Sequence, residues 1–173
     1  MSLLKSVSDI WKNTPALYNK VPFDRVFVGR VPSTKLYRFP YVEILASQGR
    51  QTYRTDKTRA GHGPLSFHIW VDDAELEFAE SVALAITNSY ADRCWALSSG
   101  ARVLDCLDEG EPMARQTDMP NVKAWEVVKL FTVLVERDRP DREDECCNDL
   151  PSPPSDESEP YSESSPAQES SSS

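Results

Sequence analysis

The residues best suited to chemistry form one basic cluster in the polar, glycine-containing stretch from Gln48 to Pro64. The cluster joins cationic side chains to one tyrosine and one histidine: Arg50, Tyr53, Arg54, Lys57, Arg59 and His62. Such a set can bind phosphate groups or an acidic protein surface, and the tyrosine can stack on a planar group. Alternatively, the charges only keep an edge strand from pairing with another chain. Because residues 1–139 are not basic overall, we favour an acidic protein partner over nucleic acid.

Two further groups of titratable residues have plainer explanations. His68 stands two residues before Trp70 in an apolar strand, and no catalytic partner lies at a recognisable spacing. We therefore expect a partly buried histidine whose hydrogen bonds are satisfied. An acidic turn holds four carboxylates, but their spacing does not match a calcium loop, so we expect only a solvated turn: Asp105, Asp108, Glu109 and Glu111.

The sequence indicates no enzyme, no metal ion and no cofactor. The four cysteines, at positions 94, 106, 146 and 147, have no C-x-x-C spacing, and only two histidines could join them as zinc ligands. We expect Cys94 and Cys106 to be small core residues. Neither a glycine-rich phosphate loop nor a nucleophile elbow is present. No apolar run approaches the roughly 20 residues that cross a bilayer, so we expect no membrane span.

Charge divides the chain into two parts. The net charge is −9, and residues 140–173 carry ten acidic residues against one arginine, while residues 1–139 hold 18 acidic and 18 basic residues. The last part is rich in serine and proline and poor in apolar residues, which cannot offset the entropy of folding. We therefore predict one folded domain over residues 1–139 and a disordered acidic tail over residues 140–173.

Hydrophobic periodicity predicts the elements that position these residues. Helical spacing predicts a short amphipathic helix from Leu3 to Trp11, and a longer helix from about Asp73 to Arg93, with Asp72 as its N-cap and Glu75 completing a capping box. Alternating and β-branched residues predict strands at 25–29, 41–46, 65–71, 101–107 and 123–137. The polar stretch between 48 and 64 could extend as a β-arm.

The last predicted strand is apolar on both faces. Its odd positions, such as Trp125 and Phe131, form one face, and Val128, Leu130 and Leu134 form the other. A strand of this kind is central in its sheet, or is covered by a helix on one side and a partner subunit on the other. The order of elements predicts an α+β fold, a mostly antiparallel sheet of about five strands with one long and one short helix packed on it.

Several segments, in this order, resemble the tail-completion or tail-terminator proteins of long-tailed bacteriophages. They are a short N-terminal helix leading to RVFVG, the strand FPYVEILAS, a polar arm ending in TDKTRAG, the strand PLSFHIWVDD running into the helix AELEFAESVALAITNSY, and the closing strand WEVVKLFTVLVERD. The resemblance covers about residues 3–138. The acidic tail lies outside it, and the arm is richer in arginine than the pattern requires.

The resemblance implies a structural protein of the virion that is assembled in the host cytoplasm. Members of this family form a ring, commonly of six subunits, at the head-proximal end of the tail tube, where they end tube polymerisation and dock to the neck or head-completion protein. DNA would only pass through the lumen of the ring. A neck or head-closure connector, and a cytosolic adaptor whose basic loop binds acidic partners, remain alternatives.

Overall fold

The fold is centred on two long antiparallel strands that pair along almost their whole length. It is seen in a computed structural model that describes residues 3–31, 38–47, 50–54, 58–97, 101–119 and 122–138. The predicted acidic tail, residues 140–173, lies outside the described residues, as does Lys57. The described elements are α1 (Leu3–Asn13), α2 (Pro15–Tyr18), β1 (Val26–Val28), β2 (Tyr41–Ala46), β3 (Arg50–Arg54), β4 (Thr58–Asp72), α3 (Leu76–Tyr90), β5 (Trp95–Ala96), β6 (Arg102–Asp108), β7 (Met113–Met119) and β8 (Val122–Asp138).

The long strands β4 and β8 exchange their outer neighbours half-way along. Near the start of β4, the sheet runs β3–β4–β8–β6–β5, and near its end β2 replaces β3 while β7 replaces β6. Pro64 stands where β4 changes neighbours, since pairing with β3 ends at His62 and pairing with β2 begins at Leu65. Proline has no N–H to donate, and it is tolerated at this position because Pro64 pairs with neither β3 nor β2.

The predicted α+β class and the predominantly antiparallel sheet are confirmed, but the strand count is wrong. The described residues form one sheet of eight strands rather than about five, and its single parallel pair joins β1 to β2. The extra strands β3, β5 and β7 are short or polar and carry no apolar alternation. They form because a neighbouring strand offers its unpaired backbone groups: β4 to β3, β6 to β5 and β8 to β7.

Helices α1 and α3 pack on one face of the sheet. That face is formed by the odd positions of β4 and β8, and it buries Leu65, Phe67 and Ile69 together with Phe131. The ring of Phe67 lies between those of Trp11 in α1 and Tyr90 in α3, with centroid separations of 6.3 and 5.0 Å. The Tyr90 hydroxyl also donates to the backbone carbonyl of Val7 at 2.8 Å, which ties the two helices together.

The long helix is shorter than predicted and is not capped as predicted. It begins at Leu76, with Glu75 at the N-cap position and no side-chain cap hydrogen bond, and it ends at Tyr90 before Arg93. The Asp72 carboxylate instead accepts a hydrogen bond from the backbone N–H of Asp73. Asp72 is the last residue of β4, so the sheet holds its backbone and the helix starts one turn later.

Candidate functional site

The predicted basic cluster lies on a β-hairpin at one end of the sheet. Arg50, Tyr53 and Arg54 belong to β3, and Arg59 and His62 to the start of β4. The register places Arg50 opposite His62 and Arg54 opposite Arg59. Arg59 and His62 are exposed. The expected β-arm is therefore present over the described part of this segment, and it is extended by pairing with β8.

The pairing of the strands places a further arginine beside the basic cluster, and its position in the sequence did not reveal this. Arg137 of β8 stands directly opposite Arg59, so that Arg54, Arg59 and Arg137 occupy one row across three adjacent strands. We call Arg59 and Arg137 the arginine row. Arg59 and Arg137 are exposed, and neither forms an ion pair with another described residue. Arg137 is 78 positions after Arg59, and only the strand register brings the two together.

The neighbouring row already contains a complete ion pair. The Arg102 Nε donates to the Glu136 Oε2 at 2.6 Å, and Glu136 is buried while the Arg102 side chain is 66% exposed. Glu136 is thus engaged with its own partner and faces the opposite side of β8 from Arg137. The arginine row therefore presents positive charge that the described carboxylates do not neutralise.

The second face of the sheet, which we call the open face, has no described helix packed on it. It is formed by the even positions of β4 and β8, and Val128, Leu130 and Leu134 are only half-buried there. Leu107 and Met113 on the flanking strands are 48% and 56% exposed. The predicted apolar character of both faces of β8 is confirmed, as is its central place in the sheet. The open face can contact another protein through these apolar residues.

A buried ionic network crosses the open face. The Glu126 side chain is 2% exposed, its Oε1 lies 2.7 Å from the His68 Nδ1, and its Oε2 accepts a hydrogen bond from the Arg115 Nε. The His68 Nε2 lies 3.1 Å from the Ser66 Oγ. Burial raises the pKa of Glu126, but the hydrogen bonds and charges of His68 and Arg115 outweigh it and hold the pKa below its ordinary value.

This network confirms the expectation that His68 is partly buried and that its hydrogen bonds are satisfied. The serine, histidine and carboxylate follow the order of a hydrolase relay. The contacts are also what a buried carboxylate requires, since an uncompensated charge in this position would be costly. The sequence hid the network because Glu126 is 58 positions from His68 and reaches it only through the pairing of β4 with β8.

The acidic turn after β6 forms an ion pair within the domain. The Asp108 Oδ1 lies 2.6 Å from the Nζ of Lys129, whose side chain is 5% exposed. Burial raises the pKa of Asp108, but hydrogen bonds from Lys129 and from the backbone N–H of Gly110 lower it further than burial raises it. Asp105 accepts a hydrogen bond from the backbone N–H of Cys106. Asp108 thus neutralises a buried lysine, so the expectation of an only solvated turn is wrong for this residue.

The cysteines occupy different environments from one another. Cys106 is buried as expected, whereas Cys94 is exposed, so the prediction of a core position for Cys94 is wrong. The helix ends four residues before Cys94, which leaves that residue in a connection at the surface. Over the described ranges, no three histidine, cysteine, aspartate or glutamate side chains gather where they could hold a metal ion. Within those same ranges, no helix is long and apolar enough to span a membrane.

Comparison with known proteins gives a match at the level of structure alone. No family model matches the sequence, and no curated protein matches it. Among solved structures, the chain is similar to a chain of the structure described as the virion of a native gene transfer agent particle. That similarity has a TM-score of 0.63 at 16% sequence identity and covers 78% of this chain and 95% of the other. Nearly the whole of that virion chain therefore shares the fold described above.

Proposed function

We propose that this protein is a structural component of a virion, and specifically the tail terminator. In this role, copies of the chain form a ring, of six subunits by analogy with the family, on the head-proximal end of the tail tube. The ring ends tube growth and provides the surface to which the neck or head-completion protein docks. DNA passes through its lumen, and the chain itself makes and breaks no covalent bond.

The observation that carries this proposal is the structural similarity to a chain of a gene transfer agent virion. The similarity extends over 95% of that chain, so it concerns a whole virion component rather than a shared motif. The specific place in the tail rests on the ordered segments that resemble tail terminators. At the described residues, these include a Pro-Tyr-Val strand, a strand running into the long helix, and a long final strand.

The surfaces of the domain also favour assembly. The open face has exposed apolar side chains beside a neutralised ionic network, and the basic hairpin has exposed cationic side chains at one end of the sheet. Surfaces that combine apolar and arginine side chains are typical of protein interfaces. A patch on one subunit that meets a different patch on the next gives a head-to-tail contact, which closes into a ring when the rotation allows.

The test is removal of the gene from the virus or particle-producing cell that encodes it, followed by electron microscopy of the products. We expect tail tubes of uncontrolled, mostly excessive length, together with filled heads that carry no tail. Expression of the full-length chain from a plasmid should restore tails of one length, which excludes effects on neighbouring genes.

Each alternative function predicts a different product. Tails of normal length that fail to join heads would contradict a terminator and favour a neck component. Normal particles in normal number would contradict any essential part in virion assembly. The cytosolic adaptor predicts this second result.

A further inference from the structure

The arginine row is an unusual arrangement for a β-sheet. Like charges that stand directly opposite one another on adjacent strands repel and destabilise the sheet. The protection of an edge strand does not account for Arg59, since β4 is paired with β3 on one side and with β8 on the other at this position. Arg137 lies one residue beyond the last pair between β8 and β6. A cost of this kind is offset when the row binds an anionic group.

The opposite end of β4 has the opposite charge. Five exposed carboxylates follow one another at the end of β4 and the start of α3, and none forms an ion pair with a described residue: Asp72, Asp73, Glu75, Glu77 and Glu80. The helix dipole favours Glu77 in the first turn, but this effect fades beyond that turn and does not account for Glu80. We call these five residues the acidic end.

The two charged regions are too far apart to neutralise each other within one chain. Arg59 and Asp72 are separated by 13 steps along one strand. At about 3.3 Å per residue this is roughly 40 Å, whereas charges are screened over about 8 Å at physiological salt. Complementary charges at the two ends of a strand favour contact between different molecules, in which one end meets the other end of a neighbour.

We infer that the arginine row binds the acidic end of a second copy of this chain. The contact is heterologous, because two different surfaces meet, and it leaves the bound pair with one free end of each sign. The inference rests on the proposed function only for closure of these contacts into a ring. Nucleic acid is the less favoured occupant, because residues 1–139 are electrically balanced and residues 140–173, which follow the row in the chain, carry a net charge of −9.

Two charge-reversed variants of the full chain test the contact. The first carries Arg59→Glu and Arg137→Glu, and the second carries Glu77→Arg and Glu80→Arg. Matched controls reverse two exposed charges outside both ends, Lys5→Glu with Arg93→Glu, or Glu109→Arg with Glu111→Arg. Circular dichroism checks that each variant is folded. Sedimentation velocity at low ionic strength measures association of each variant alone, of the first and second variants mixed, and of one chain carrying all four reversals.

The expected results follow from the signs of the charges. Each reversed variant alone should associate roughly a hundredfold more weakly than the natural chain, since like charges would meet at every contact. The mixture and the fourfold variant should recover association, because opposite charges meet again, and the controls should associate like the natural chain. Added salt should weaken every association that occurs.

Three outcomes would overturn the inference. The first is a natural chain that stays monomeric at low salt and at its highest soluble concentration, and the second is association that charge reversal does not alter. The third is loss of binding to a DNA oligonucleotide by the Arg59→Glu, Arg137→Glu variant while its self-association is intact. That result would assign the row to nucleic acid. These results are separate from the gene-removal test. If association depends on charge but tails are normal after gene removal, the tail role alone is refuted. If gene removal alters tube length but charge reversal has no effect on association, this contact alone is refuted.

Discussion

Replacement of Arg115, the charged partner of Glu126, should destabilise the domain more than removal of the Glu126 carboxylate itself. Glu126 is 2% exposed and is held by His68 and Arg115, while the Arg115 side chain is 67% exposed. Removal of one partner of a buried ion pair typically costs about 3–5 kcal/mol, because the remaining charge is left buried. Arg115→Ala leaves the Glu126 carboxylate buried with His68 as its remaining side-chain partner, so we expect it to cost about 3 kcal/mol, near the lower limit because loss of an exposed side chain admits water.

The two matched variants should cost less. Glu126→Gln keeps the volume and one acceptor oxygen, so we expect a loss of about 1–2 kcal/mol. Glu126→Ala removes the buried charge and leaves an exposed guanidinium that water can solvate, so we expect a loss of about 1–2 kcal/mol. Arg115→Ala should therefore be the most destabilising of the three variants.

The effect of Glu126→Gln should depend on pH. Because the folded-state pKa of Glu126 is held below its unfolded value, its contribution to stability is fully present above the unfolded pKa, about 4.3, and is lost as the pH falls through the folded pKa. The natural chain and Glu126→Gln should therefore differ at pH 7 and converge in acid. Urea unfolding followed by tryptophan fluorescence from pH 7 down to pH 3 measures this difference. A difference that stays constant with pH, or an Arg115→Ala variant more stable than Glu126→Ala, would refute the reasoning.

Three other predictions concern the arginine row, a buried thiol and the acidic tail. Arg59→Thr should raise the free energy of unfolding by about 0.5 kcal/mol in urea melts, since it removes cross-strand repulsion, while weakening self-association; a loss of stability would contradict the argument. Burial, together with nearby carboxylates, raises the pKa of Cys106 to about 12, so Ellman's reagent at pH 8 should label exposed Cys94 rapidly and Cys106 only after unfolding. Variants with single remaining cysteines distinguish these sites, and rapid labelling of folded Cys106 would argue against its burial. Removal of residues 140–173 should leave the melting temperature of the remaining chain unchanged, whereas a large decrease would mean that the tail contributes to the fold.

The elements with strong periodicity were predictable from the sequence. The apolar stripe of α1 and the β-branched run of β2 gave elements at the expected positions, and β2 has the predicted bounds, Tyr41–Ala46. The alternation along β8 correctly assigned its two faces. In each case, burial of one set of side chains dictates a single arrangement of the backbone.

Elements made by pairing rather than by burial were not predictable in the same way. The first part of β4 contains Gly61 and Gly63, and β7 has the polar sequence MARQTDM, so neither carries an apolar face. Their strand conformation follows from the free backbone groups of the long strands beside them. The N-cap of α3 failed for a related reason, because pairing of β4 with β8 continues through Asp72.

The same distinction applies to the candidate site. The hairpin residues lie close together in the chain, so their grouping was visible in the sequence. Arg137 and Glu126 become neighbours of Arg59 and His68 only through the register of β4 with β8. A register depends on every contact along both strands, and a single sequence does not reveal which residues end up opposite one another.

The most direct test of the proposed function is the position of the chain in purified particles. An affinity tag at the N-terminus, detected with gold-labelled antibody in electron micrographs, locates the protein without altering the arginine row or the acidic end. The account predicts label at one site per particle, at the junction of head and tail. Label along the tube, label at the far tip of the tail, or particles free of label would contradict it.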